Sequence, residues 1–438
     1  MRFLAPIALF AGAAILSSVW LMTSSTAQED SESTVYEALD LFSRAFQIAR
    51  NEYVEEIGDL ELVQGAVQGM LSSLDPHSSY LSPERMDSTK IQTTGEFGGL
   101  GIEVSMENGW IKVVSPIDDT PAAKAGVRAG DYITELDGES VLGLTLEEAV
   151  EIMRGPVGEK IVLTIEREGE DGPIEVEIIR DIIELTSVKA RMVSDIMVVR
   201  VIVFSENTHA NLAEAMAEQA EEAGGMDSVR GVVLDLRNNP GGVLTSAVDI
   251  SDAFLERGDI VLVRGRQSGG TSNYTAEAGD LAEGKPMAVL INIGSASGSE
   301  IVAGALQDHK RAVVIGTQSY GKGSVQEIIN LGPEHGGIKL TTARYYTPAG
   351  RSIQGEGIVP DIYVQDRRTE LIDDEDPEAG VINEAKLRNS LESENPDDEE
   401  AAEADAEKRK VIEELRLTDP QLSHAIDVLT AVDIFRQQ

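Results

Sequence analysis

The sequence predicts an α/β protein whose strands and helices alternate through most of the second half of the chain. Short apolar runs recur there (IMVVRVIVF, GVVLDL, DIVLVRG, MAVLIN and RAVVIG), each the length of a buried strand. Between them lie stretches with apolar residues at helical spacing, as in Glu300–His309, where Ile301, Val302, Ala305 and Leu306 share a face. The chain has 438 residues and is 42% hydrophobic, which suffices to bury the cores of two or three domains.

Met1–Ala27 reads as an export signal. Arg2 supplies a positive charge, Phe3–Met22 is apolar apart from Ser17 and Ser18, and Ser25-Thr26-Ala27 is a small-x-small cleavage site that would leave Gln28 first. An uncleaved membrane anchor is the alternative, because about 20 apolar residues also span a bilayer. Either way the body of the protein is expected outside the cytoplasm, in a bacterial periplasm or on the outer face of the inner membrane.

Residues 28–94 form a helical region leading into the body. Tyr36–Tyr53 is read as an amphipathic helix and Leu60–Leu74 as a second, stopped by Asp75-Pro76. Residues 95–181 mix short strands (WIKVVSP, KIVLTIER) with helices at Thr120–Ala125 and Leu146–Arg154. Residues 186–364 carry the α/β pattern, with helices expected at His209–Ala223 and Val243–Arg257 and a mobile polar loop at Gln267–Gly284. Acidic residues dominate 365–410, which is read as disordered or solvated. Residues 411–438 regain an amphipathic pattern, suited either to docking on the core or to joining a dimer.

Composition removes several classes of function. A formal net charge of −41 argues against binding nucleic acid or an anionic membrane through a basic face. The absence of cysteine excludes disulfides, cysteine catalysis and thiolate metal sites. The histidines are scattered without metal-ligand spacing, so neither metal nor cofactor is expected.

The most informative stretch is Gly294–Gln326. Ser297 stands where a strand gives way to a helix, a place from which a side chain projects beside unsatisfied backbone N–H groups that can hold an oxyanion. A serine nucleophile needs a base, and Lys322, between Gly321 and Gly323, is the candidate. A lysine accepts a proton only if burial brings its pKa down from about 10.4 toward neutrality. Other readings compete. Gly316–Lys322 fits most of a P-loop, but Gly323 stands where Ser or Thr would bind magnesium, and SVQEIIN looks like a strand rather than the required helix. Ser319 and Lys322 form S-x-x-K, yet the flanking glycines oppose a helix and no K-T-G follows. A plain glycine-rich turn is the remaining alternative.

GSASGSEIVAGALQD, RAVVIG, YGKGSVQ and the upstream DLRNNPGG resemble the carboxy-terminal processing (tail-specific) protease family, serine peptidases with a Ser–Lys pair and an embedded PDZ domain. The resemblance runs from roughly Val35 to Val364. Gly298 stands in place of a common alanine, and Ser319-Tyr320 in place of a common Thr-Phe. By position, the resemblance implies Ser297 as nucleophile, Lys322 as general base and Gln326 as the residue that orients the lysine. It favours the amide of Gly241 or Gly242, paired with that of Gly298, as oxyanion donors, and it implies a ClpP/crotonase-like spiral core. It gives His77 no catalytic role.

Gly95–Arg180 resembles a PDZ domain, on FGGLGIEV together with TPAAKAGVRAGDYI. The loop Gly99-Leu100-Gly101-Ile102 is then expected to turn successive amides toward a peptide carboxylate, with the peptide adding as a strand beside Ile102–Val104. Arg154 is a candidate for sensing the bound tail or tying this domain to the core; a plain surface arginine is the alternative.

The expected partners are protein or peptide substrates held by their C-termini. A homodimer or higher oligomer and an adaptor or activator protein are open, nucleic acid is not expected, and any membrane contact would come through the N-terminal segment. The rivals to an exported endopeptidase are a PDZ scaffold with an inactive protease body and a nucleotide-binding protein.

Overall fold

A computed structural model describes residues 35–117, 119–266, 271–365, 410–412 and 414–436. The expectations for residues 1–27 and for the acidic stretch 366–409 fall outside them. The described residues form two compact units. The smaller holds those up to Leu81 with Ile328–Leu331 and Gly337–Leu340, and the larger holds the rest.

In the smaller unit, helix α1 (35–52) is followed by α2 (Asp59–Ser72) and strand β1 (Ser79–Leu81). Gln68 of α2 accepts from the Tyr80 amide at 2.9 Å and Gln64 donates to the Tyr80 hydroxyl at 3.1 Å, which fastens helix to strand. The apolar stripe that predicts α1 is not buried: Leu39, Phe42 and Ile48 are all exposed.

The larger unit begins with α3 (Pro83–Thr94), which ends on Gly95 in the left-handed region at φ 77°. Strand β2 (Glu96–Gly99) pairs antiparallel with β9 (Asp181–Glu184), and this two-stranded ladder carries the chain into and out of a sheet of β3 (Ile102–Glu107), β4 (Trp110–Pro116), β5 (Tyr132–Leu136), β6 (Glu139–Ser140), β7 (Lys160–Glu166) and β8 (Ile174–Ile179). The strand order β3-β4-β5-β7-β8 leaves β3 at an edge. Helices α4 (Pro121–Lys124) and α5 (Leu146–Met153) complete this domain, and Ala122, Ala149 and Met153 join Ile111, Ile133, Ile161 and Leu163 in its core. Arg180, buried, donates to the carbonyls of Met153 and Ile152, satisfying acceptors left open at the end of α5.

Among the described residues, the rest of this unit is built on a six-stranded sheet in the order β10 (Val188–Val193), β11 (Ile196–Val201), β12 (Gly231–Asp235), β15 (Met287–Ile291), β16 (Ala312–Gly316), β19 (Ile362–Tyr363). Among the described residues only the β10–β11 pair of this sheet is antiparallel; every later pair is parallel. A parallel sheet is covered on both faces, so its strands are apolar throughout rather than alternating. Every residue of β12 and β15 is buried accordingly. On one face Val232, Leu234, Val289 and Val314 pack against α6 (Thr208–Glu222), α7 (Leu244–Asp252) and α8 (Gly298–Asp308). On the other, Val198, Val233, Leu290 and Ile315 meet Leu422, Ala425, Ile426 and Leu429 of the C-terminal helix, which follows a short helical stretch at 414–418 (α9) and is termed α10 (Pro420–Arg436). Full burial of such a leucine or isoleucine contributes about 1.5–3 kcal/mol. Leu422, Ile426 and Leu429 are therefore buried on the second face of the sheet, while Phe435 stays exposed.

Two edges of the sequence reading change. The expected loop over Gln267–Gly284 contains a strand, β14 (Thr271–Ala276), hydrogen-bonded to β13 (Gly258–Gly265); the β-branched and aromatic residues of TSNYTA suit a ladder despite their polarity. The helix expected over Val243–Arg257 ends at Asp252, where Gly258 already opens β13.

Candidate active site

Parallel pairing puts the C-terminal ends of β12, β15 and β16 side by side on one edge of the sheet, where α/β sheets hold their ligands. Three loops leave from there. One carries Asn238–Gly242, one carries Ser297 into α8, and one carries Ser319–Gly323 into β17 (Ser324–Gly332), which pairs with β18 (Gly336–Tyr346).

Side-chain amides stitch the first two loops together. Asn292 accepts from the Asn238 amide at 2.9 Å, and Ser295 donates to the Leu236 carbonyl at 2.8 Å. Asn239, wholly buried, donates to the Val201 carbonyl at 2.8 Å and accepts from the Gly241 amide at 2.9 Å. The Ala296 amide in turn donates to the Asn239 carbonyl at 3.0 Å. Gly241, at φ 98°, lies against the turn so closely that a Cβ there would stand 2.7 Å from the Ser297 Cβ. Only glycine allows that approach.

Ser297 precedes α8 with φ 55° and ψ −111°. A non-glycine residue in such a region carries strain of about 1–3 kcal/mol, and residues of this kind cluster at functional turns. The same turn leaves the Gly298 amide without an acceptor among the described residues, and the Gly242 amide likewise. The Gly241 amide, by contrast, is committed to Asn239.

Glu300, which the sequence reading passed over, holds the second and third loops together. Its side chain is fully buried. One carboxylate oxygen accepts from the amides of Ser297 at 2.8 Å and Lys322 at 2.9 Å, and the other from the Gly321 amide and the Ser319 hydroxyl, both at 2.6 Å. The backbones of Ser297 and Lys322 thus converge on a single atom. The signal in the sequence is Ser297-x-x-Glu300, the spacing at which an acid reaches back to the amide that precedes a helix.

Tyr345 joins the same group. It is 2% exposed, and its hydroxyl donates to the Lys322 carbonyl. Burial pushes its pKa well above the ordinary tyrosine value; the Ser297 contact opposes the shift and the Glu300 charge adds to it. The folded chain therefore keeps this proton to a higher pH than the unfolded chain does. The resulting stabilisation is complete below about pH 10 and is lost at about 1.4 kcal/mol per pH unit above it. Urea unfolding between pH 9 and 11 is expected to show a steeper alkaline loss in the wild type than in Tyr345→Phe.

The other sequence candidates fall as follows. Gln326, on β17, donates to Ser324 at 3.0 Å and Thr341 at 3.3 Å. Ser319 is 3% exposed and its hydroxyl is occupied by Glu300 and by the Ile358 amide, which removes it as a nucleophile. The P-loop reading fails on the same contacts. The Gly321 and Lys322 amides, which would cradle phosphate, bind an internal carboxylate, and a strand follows instead of a helix. His77 sits in a turn of the smaller unit where Asp75 accepts its amide.

In the antiparallel domain, Gly99 closes β2, Leu100 is buried, Gly101 has φ 76°, and Ile102 opens the edge strand β3. A Cβ on Gly101 would lie 2.3 Å from the Thr120 Cβ, and the Thr120 hydroxyl donates to the Gly101 carbonyl at 3.1 Å. Arg154 follows α5 with its guanidinium 5.0 Å from the ring centre of Phe97 on β2, beside a cavity of 620 Å³ lined also by Lys90 and Ile91 of α3.

Residues 195–364 match the model for peptidase family S41, residues 112–167 a PDZ domain, and residues 6–85 the N-terminal domain of the activating protease CtpB. A carboxy-terminal-processing protease of Bartonella bacilliformis is 49% identical over 395 residues, covering 90% of this chain and 90% of that protein. The carboxy-terminal processing protease CtpB of Bacillus subtilis is 34% identical over 371 residues, covering 82% of this chain and 75% of that one. Among solved structures, the photosystem II D1 C-terminal processing protease is 28% identical, with a TM-score of 0.44 over 74% of this chain and 92% of that chain. The 49% and 34% identities over most of both chains, with the S41 and PDZ matches, place the chain in the carboxy-terminal processing protease family, among the S41 peptidases.

Proposed function

We propose that the protein is an exported serine endopeptidase that cuts substrates near their C-termini through Ser297 and Lys322. The observation that carries this reading is the convergence of the strained Ser297 turn and the Lys322 loop on Glu300 at the C-terminal edge of the parallel sheet. In the reaction, the uncharged Lys322 amine takes the Ser297 hydroxyl proton as the oxygen attacks the scissile carbonyl. The Gly298 and Gly242 amides donate to the oxyanion, since Gly241 already spends its own on Asn239. The C–N bond then breaks, Lys322 gives its proton to the leaving amine, and an acyl-enzyme remains. Water attacks the ester with Lys322 again as base. Gln326 holds the segment after the lysine through Ser324 and Thr341.

The substrate's terminal carboxylate docks on the amides of the Gly99–Ile102 loop, and the peptide extends along the open edge of β3. Arg154, stacked on Phe97 of the strand that enters this domain, links tail binding to the core. The charged and apolar start of the chain supports export.

A fluorophosphonate probe tests the chemistry: its adduct is expected on Ser297 by peptide mapping, and an adduct on any other serine would sink the reading. The PDZ assignment has its own test. Gly101→Ala is expected to weaken binding of a free-carboxylate peptide by at least about tenfold, because the Cβ collides with Thr120, while leaving probe labelling unchanged. Equal binding of carboxylate and C-terminally amidated peptides by the wild type would argue against carboxylate recognition.

A further inference from the structure

We infer that Glu300 is a positioning residue of the serine–lysine pair, an internal strut that sets the distance between the nucleophile turn and the base loop. This rests on the serine–lysine reading above and deepens it. A buried carboxyl group is costly to desolvate, and an apolar residue of similar volume would ordinarily stabilise a core as well or better. Glu300 nevertheless has no exposed surface, and every partner it makes is a hydrogen-bond donor from the functional loops. Each oxygen accepts twice. One takes Ser297 and Lys322 together, while the other takes Gly321 and Ser319. Ser319 passes the link on by accepting from the Ile358 amide at 2.6 Å. Tyr345 braces the same loop from the other side through the Lys322 carbonyl. Because the two amides that matter share one acceptor atom, losing that acceptor frees the Ser297 and Lys322 backbones from their common anchor.

A glutamine at this position has a single oxygen. Whichever way its amide turns, an NH₂ group faces one pair of donors and forces that pair away. Glu300→Gln in the full chain is therefore expected to lower kcat about 100-fold, the loss that follows a displacement of about 1 Å in reacting groups. Fluorophosphonate labelling of Ser297 should slow in step, while KM and affinity for a tail peptide at the PDZ domain hardly change. A folded Glu300→Gln protein with wild-type kcat would overturn the inference, as would a loss of tail-peptide affinity as large as the loss of kcat, since that would signal general distortion. If Glu300→Gln does not fold, Ser319→Ala decides. It removes one donor of the set and should slow labelling about tenfold; wild-type labelling would overturn the inference. Failure of the wild type itself to label at Ser297 would instead remove the serine–lysine reading, and that result is read without any variant.

Discussion

Ser297→Ala is expected to lower peptide turnover by at least about 10⁴-fold, and Lys322→Ala by a similar factor, with both variants folded. Removing either group leaves only binding and oxyanion stabilisation, so the two losses should not add: the double variant is expected to be no slower than the worse single one. Ser297 lies half-buried on a loop tip and Lys322 half-buried on another, so truncating either removes few packing contacts. Thermal unfolding midpoints close to the wild type, alongside lost cleavage of an unstructured reporter peptide, would be the matching result. Residual cleavage at the wild-type rate in either variant would dismiss the proposed chemistry.

The largest expected effect on stability lies at Arg237. Its guanidinium makes paired hydrogen bonds to Asp235, at 2.9 and 2.8 Å, and to Asp419, at 2.7 and 2.8 Å. The side chains of Arg237 and Asp235 are 11% and 5% exposed. Burial opposes the arginine's charge, yet the two carboxylates outweigh it and hold its pKa above the ordinary value. Burial would likewise raise Asp419, but Arg237 overrides it and the Asp419 pKa falls. Arg237→Ala would leave Asp235 and Asp419 without the cation that forks between them, at an expected cost of about 3–5 kcal/mol in urea unfolding. Arg237→Lys should recover only part of this, because an ammonium cannot fork to both partners. Since the Asp419 pKa is depressed, its contribution is present above about pH 4 and fades as the pH falls below that, and the acid loss should be shallower in Arg237→Ala. A cost below about 1 kcal/mol would mean that α10 is fastened by its apolar face alone.

Much of the architecture is legible in the sequence because buried parallel strands advertise themselves as unbroken apolar runs. GVVLD and MAVLI are such runs, and both are wholly buried neighbours in the sheet. The glycine-flanked Lys322 and the small residues around Ser297 stand out for the same local reason. Strand β14 does not, because TSNYTA is polar and takes its conformation from the ladder with β13. Nor does the burial of α10, whose amphipathic pattern suits a dimer interface as well as its own sheet.

The site divides along the same line. Ser297, Lys322 and the glycines are short-range features: a turn, a flexible flank and a helix start can each be read within a few residues. Glu300, Tyr345, Arg237 and Asn239 act across the fold, and their partners lie far along the chain. The sequence by itself determined the kind of chain this is, an alternating α/β body with an inserted PDZ domain and a serine and a lysine in glycine-rich turns. Tertiary structure alone decided which amides remain open, which oxygen the two loops share and what covers the second face of the sheet. Periodicity and turn chemistry are written locally, whereas hydrogen-bond partners exist only once parallel pairing has brought the ends of β12, β15 and β16 to one edge.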